Sequence, residues 1–170
     1  DRYHGFSRDP DAVIELLRHG STGTQDVGRV VAHADDGATV THYFLNCAGT
    51  GFDSYLLRRM GSAHGQRLRY LWSVLRCLGR YRAAELELDT SAGPLRASAL
   101  MLEVCLGRSF GGGMRLFPHA DASDGQFEVL LIDDMSPLRL LGSLPYLYNG
   151  RITSHPSVRS WRTDRLSVRG

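Results

Sequence analysis

The chain has 170 residues, 42% hydrophobic and 22% charged, which fits one globular domain able to bury a core without disulfide staples. A net charge of +2 is too small for a nucleic-acid binder, and no apolar run reaches the length of a membrane-spanning helix. Apart from histidine, all 20 basic residues are Arg, which excludes lysine chemistry within the chain, whether a Schiff base or a phosphate-loop lysine. Cys47, Cys77 and Cys105 are odd in number and each lies in an apolar run. They read as small buried hydrophobes of a reducing compartment, with no disulfide or zinc framework. The opening DRYHGFSRDP carries neither an initiator Met nor a signal peptide, and reads as a cut within a longer protein.

Asp9-Pro10-Asp11 marks a helix start, with Val13, Ile14, Leu16 and Leu17 as its apolar face and Gly20 as its stop. Asp26 to His33 and Thr39 to Cys47 read as two strands of a hairpin around Asp35-Asp36-Gly37. Ala48 to Asp53 reads as a turn into a helix over Asp53–Met60, with Asp53 as its N-cap. Asn46, in an apolar strand, needs a partner if buried, and bracing the AGTG turn is a suitable role. Gln66 to Leu78 has the clearest helical period, with Leu68, Leu71, Trp72, Leu75 and Leu78 on one stripe. Tyr81 to Asp89 alternates as a strand, Thr90 to Pro94 turns, and Leu95 to Leu106 is a long apolar strand placed centrally.

The stretch Phe110 to Ile132, FGGGMRLFPHADASDGQFEVLLI, organises the rest. Three adjacent glycines are tolerable where the backbone must turn or be closely approached. Asp121 and Asp124 follow in a non-helical segment, Gly125 turns, and Gln126 to Ile132 leaves as a strand. Two carboxylates and free carbonyls on one loop could hold a hard divalent cation, though Asp-Gly before an apolar run is equally a plain turn signal. The alternating acidic positions of an EF-hand are missing. Ser136-Pro137 starts a further helix, with Leu138, Leu141, Leu144 and Tyr148 on one face, and Pro145 is expected to kink or shorten it. Ser157 to Arg162 and Leu166 to Arg169 are closing strands. Strands outnumber helices and short turns join them. The expectation is a mainly β fold, a distorted antiparallel β-sandwich with two to four packed helices. His42, His119 and His155 lack metal-ligand spacing, and Ser98 and Ser154 lack a nucleophile elbow.

The order FLNCAGTGFDS, Leu-rich helix, FGGGMRLFPHADASDGQFEV, GRITSHPSV resembles the second domain of the diacylglycerol kinase-like lipid kinases throughout the chain. That group includes bacterial diacylglycerol and YegS-type lipid kinases and the sphingosine and ceramide kinases. The resemblance implies a β-sandwich that shapes a lipid pocket and faces an ATP-binding first domain across a cleft. The family's Gly-Gly-Asp-Gly-Thr motif and its Val-Asp-Gly-Glu motif, whose glutamate is the implied base, are both absent from this sequence. The whole enzyme implied is cytoplasmic and peripheral to the membrane. It moves the γ-phosphoryl of ATP to a lipid hydroxyl with Mg2+. No catalytic residue is expected within this chain, which alone should be inactive.

By the same resemblance, Asp124 anchors a structural Mg2+ through its side chain, with the backbone carbonyls of Asp121 and Gln126 as further ligands. Ser123, where relatives carry acid, lowers the local negative charge, and Leu106 stands where relatives often carry Asn. Phe52, Asp53, Leu71, Trp72 and Leu75 are the candidate lipid contacts. The implied partners are the lipid substrate, the ATP-binding domain, a membrane surface and a second copy in a homodimer; Arg58, Arg59, Arg67, Arg69 and Arg76 could meet that surface, a merely solvated face being the alternative. The alternative from another class is a non-enzymatic β-sandwich binding module in which the Asp-Gly loop is only a turn.

Overall fold

The computed structural model describes residues 7, 9–60, 76–110 and 114–170. Helix α1 (Pro10–His19) begins as its sequence dictates. Asp9 accepts from the Asp11 amide at 3.2 Å, Pro10 takes the first position, and the Gly20 amide closes on the Leu16 carbonyl at 2.7 Å. None of its residues is buried, so α1 adds nothing to the core.

A two-stranded hairpin follows, β1 (Gly28–His33) against β2 (Thr39–Phe44). The strand expected to run on to Cys47 instead breaks at Leu45-Asn46, and the segment expected to turn is a strand, β3 (Cys47–Gly51). The Asn46 carbonyl accepts the Leu106 amide at 2.8 Å and its side-chain amide donates to the Ser109 carbonyl at 3.1 Å. This residue therefore switches the chain from the hairpin to the main sheet, and it braces 106–109 where bracing of the AGTG segment was expected. Helix α2 (Phe52–Met60) follows without a connecting loop.

The main sheet is antiparallel and built on β5 (Gly93–Cys105). One edge of β5 pairs first with β4 (Ala84–Thr90) and then, beyond residue 99, with β3. Its other edge pairs with β8 (Phe127–Asp133), which pairs with β9 (Val158–Thr163). Strand β10 (Ser167–Arg169) closes on β4. A bulge between Ala99 and Met101 reverses the alternation midway along β5. As a result Ala97, Ala99 and Leu102 share one face with Val129 and Leu131. Leu100 and Cys105 share the other with Leu130 and Ile132. Both faces of the sheet are covered, which is why the central strands read as near-continuous apolar runs.

The first core combines sheet residues with Phe52 and Leu56 of α2, Cys77 and Leu78, Leu116, Phe117 and Ile152. The second consists of residues of the sheet itself and Leu166, so the sheet curls around it. A short ladder, β6 (Ser109–Phe110) with β7 (Met114–Arg115), flanks the tri-glycine segment, which lies outside the described residues. The predicted helix Gln66–Leu78 lies outside them as well, except for a helical turn at 76–78.

Helix α3 (Pro137–Asn149) is capped by Ser136, which accepts the Arg139 amide at 3.4 Å. It runs past Pro145 to Asn149, so the proline does not shorten it. Proline removes one hydrogen bond, and Pro145 is exposed, where water can reach the freed backbone. Leu138 does not join a buried face, being 81% exposed. Among the described residues no helix is long and apolar enough to cross a membrane. The architecture is the mainly antiparallel, β-sandwich-like fold that the strand pattern implied.

Candidate functional site: an acid cluster where α2 meets the sheet

Strand β3 runs straight into α2, so Asp53 falls in the first helical turn and is not the N-cap expected of it. Gly51 makes that junction: its φ is +117°, and a Cβ there would stand 2.6 Å from the Leu100 carbonyl oxygen. Phe52 is buried and meets the Tyr81 ring edge-on at 5.6 Å, while Tyr55 reaches the same ring at 5.2 Å. Asp53 is half-buried beside them and accepts from the Ser54 hydroxyl at 3.4 Å.

Opposite Asp53 lies a residue the sequence reading passed over, Glu103 of β5. Its side chain is fully buried. Its register partner on β3 is Gly49, and a Cβ on Gly49 would fall 2.3 Å from Glu103 Oε2. The missing side chain at 49 is therefore the space the carboxyl occupies. Among the described residues neither Glu103 oxygen has a hydrogen-bond partner. Burial foremost, then the charge of Asp53, then Cys47 and hydrogen bonding toward Asp53, push the Glu103 pKa up to about 9. Glu103 is thus a neutral carboxylic acid at pH 7. One signal for it was legible: a lone acidic residue inside the apolar run of β5.

The charge of Asp53 reaches two further groups. Tyr81 is raised by burial and then by Asp53. Cys47 and Cys105 are register partners across β3 and β5, and both are free thiols. The hydrogen bond between them, with burial, holds Cys105 protonated. The same bond lowers Cys47, against burial and the Asp53 charge. Asp53 therefore stands among weak acids, at the border of the larger apolar core. Such a border suits a ligand with a polar head and an apolar body.

The second candidate lies at the corner entering β8. Gly125 adopts φ +71°, and its amide donates to Asp26 Oδ2 at 2.7 Å, while the Asp26 amide donates to the Ala122 carbonyl at 2.7 Å. Asp26, from the segment before β1, thus clasps the corner. Asp121 accepts from the amide and hydroxyl of Ser123 at 3.0 and 2.7 Å, which lowers its pKa. Asp124 accepts the Gln126 amide at 3.0 Å, and its other oxygen pairs with Arg162, which also reaches Glu128 at 3.2 Å. Burial raises Glu128, and Arg162 opposes that shift. Among the described residues no three His, Cys, Asp or Glu side chains form a cage. The donors at the corner are nonetheless all hard oxygens, and Mg2+ accepts few protein ligands completed by water. The donor set fits that ion, with Arg162 as a competing cation on Asp124.

Asp53 and Phe52 are brought together with the acid cluster, whereas Leu71, Trp72 and Leu75 lie outside the described residues. Arg58, Arg59 and Arg76 are exposed, with the Arg59 guanidinium 4.6 Å over the Tyr55 ring. Arg67 and Arg69 lie outside the described residues. His155 is structural, bonded to the Ser143 hydroxyl at 2.8 Å and to the Ser157 amide at 3.1 Å.

Residues 46–170 match the model of the YegS C-terminal NAD kinase beta sandwich-like domain. The diacylglycerol kinase of Mycobacterium tuberculosis, in strains CDC 1551 / Oshkosh and ATCC 25618 / H37Rv, is 29% identical over 166 residues, covering 95% of this chain and 52% of the relative. The chain thus spans about half the length of the curated relatives it matches. Two crystal structures of Bacillus anthracis str. Sterne proteins share the fold. One superimposes with a TM-score of 0.62 at 17% identity, over 98% of this chain and 52% of the other. The second, a diacylglycerol kinase, gives 0.58 at 16%, over 98% and 52%. The match over most of the chain, the curled antiparallel sheet and these relatives agree: the chain belongs to the YegS C-terminal NAD kinase beta sandwich-like family, the C-terminal domain of diacylglycerol kinase-like lipid kinases.

Proposed function

We propose that this chain is the lipid-substrate domain of an ATP-dependent kinase that phosphorylates a lipid hydroxyl, with a diacylglycerol-like lipid as the preferred substrate. The observation that carries the reading is Asp53. It is a half-buried carboxylate in the first turn of α2, flanked by Phe52 and Tyr81 at the edge of the larger core. A lipid head with a free hydroxyl needs one acceptor beside an apolar wall. The Asp53 carboxylate would accept the hydroxyl proton in a hydrogen bond and orient the head. The apolar residues of α2 and the adjoining core would exclude water around the chains.

The relatives named diacylglycerol kinase favour a glycerol head over a sphingoid one. ATP and the base that removes the hydroxyl proton belong, in this reading, to segments outside this chain. At the corner, Asp124 and the carbonyls of Asp121 and Gln126 would hold Mg2+, which would stiffen the entry to β8. Exposed Arg58 and Arg59 would meet anionic headgroups at a membrane surface.

The test is phosphoryl transfer from labelled ATP to a panel of diacylglycerol, sphingoid base and phosphatidylglycerol by the intact protein. Labelled diacylglycerol is expected, with Asp53→Asn raising KM for the lipid by about tenfold. Binding of lipid vesicles with no labelled product from any lipid would instead favour the non-enzymatic binding module.

A further inference from the structure

Glu103 has no part in the reading above, yet the fold goes to some length to hold it. A buried carboxyl with neither oxygen hydrogen-bonded among the described residues is rare in native proteins and asks for a reason. Leucine or valine would fill a position on an apolar face without that penalty. Instead β3 supplies Gly49 directly across the ladder, and the carboxyl lies in the vacated space. Asp53 stands near enough for its charge to raise Glu103, and it accepts from the Ser54 hydroxyl.

We propose that Glu103 is a positioning residue for Asp53: as a carboxylic acid it donates its proton to the Asp53 carboxylate and, with Ser54, fixes that carboxylate so that its outward lone pairs receive the lipid hydroxyl. The proposal rests on the lipid-kinase reading for the identity of the ligand, but not for the Glu103–Asp53 contact. A shared proton keeps the pair at a single negative charge, which lowers the cost of holding two acids near each other in an apolar setting. The acid donates only while protonated. Among the described residues the titratable groups whose charge meets it are Asp53 from α2, Cys47 from β3 and Cys105 on its own strand, while Tyr81, from the segment before β4, meets Asp53. Strand β8 opposes it with the uncharged Leu130.

Two measurements on the intact protein decide the matter. The first is the steady-state kinetics of dioctanoylglycerol phosphorylation against pH for wild type, Glu103→Gln and Glu103→Leu. Glutamine keeps a neutral donor, and its KM for the lipid is expected within about threefold of wild type at pH 7. Leucine removes the donor, and KM is expected to rise about tenfold or more with a much smaller change in kcat. Wild-type kcat/KM should decline as pH passes about 9, a step that Glu103→Gln lacks. If glutamine is as damaging as leucine at pH 7, or if leucine changes neither KM nor the pH profile, the proposal is wrong. Should the leucine variant fail to fold, the alkaline step in wild type against glutamine decides alone.

The second measurement is the carboxyl 13C titration of Glu103 by NMR, with and without Asp53→Asn. The midpoint is expected to fall when Asp53 loses its charge, and an unmoved midpoint would overturn the contact. A wild-type protein inactive on every lipid overturns the functional reading, and the titration still decides whether the two acids share a proton.

Discussion

A single residue, Glu103, concentrates what is unusual in this chain. Its pKa is 4.5 when unfolded and about 9 when folded, with burial as the main cause. Between those values the native state keeps a proton that the unfolded chain has released. Stability is therefore fully present below pH 4.5, falls as pH rises by about 1.4 kcal/mol per unit, and levels off above about 9. Glu103→Gln abolishes this contribution. Urea melts at pH 5, 7 and 9 should show a shallower decline for the variant. Parallel declines in the two proteins would mean that Glu103 ionises freely in the native state. The residue escaped notice in the sequence because one acid in a thirteen-residue apolar strand says nothing about what lies across the ladder.

At the scale of elements, the β3–β5 pairing and the β8 corner each make a testable claim. Gly49 and Glu103 are complementary in volume, so Gly49→Ala should destabilise by about 1–3 kcal/mol. In a Glu103→Ala background the same change should cost less than about 1 kcal/mol, because the atoms it strikes are gone. Equal costs in both backgrounds, measured by denaturant unfolding, would break the link. At the corner, Arg162 occupies one Asp124 oxygen. Added MgCl2 is expected to raise the Tm of wild type modestly, to raise that of Arg162→Gln more, and to leave Asp124→Asn unmoved. If all three proteins melt alike with and without the salt, the corner is a turn held by Arg162 and Asp26 and no metal site.

For the whole molecule, the sheet has a core on each side, and β8 contributes to both. Leu130 faces the core shared with α2, and Leu131 faces the core inside the curl, each 0% exposed. Truncating either to Ala should cost about 2–5 kcal/mol. Similar losses of urea midpoint in the two variants are expected. A near-silent Leu131→Ala would show that the curled face packs loosely. The division also explains the acid cluster: among the described residues, the side shared with α2 brings Asp53 and two thiols toward Glu103.

The residue pattern alone determined most of the strands, the caps of α1 and α3, the mainly antiparallel class and the family, because alternation, caps and turn residues act within a few positions of themselves. It misjudged 45–53, where glycines read as a turn although Gly49 and Gly51 serve a strand. Their reasons, a carboxyl at 103 and a carbonyl at 100, lie some fifty residues away. It singled out Asp53, two residues after Gly51, and Asp124, just before Gly125. It could not pair Asp53 with Glu103, Asp124 with Arg162, or Asp26 with Gly125. Those contacts follow from strand register, the bulge after Ala99 and the fold of the sheet upon itself, and only the assembled structure decides them.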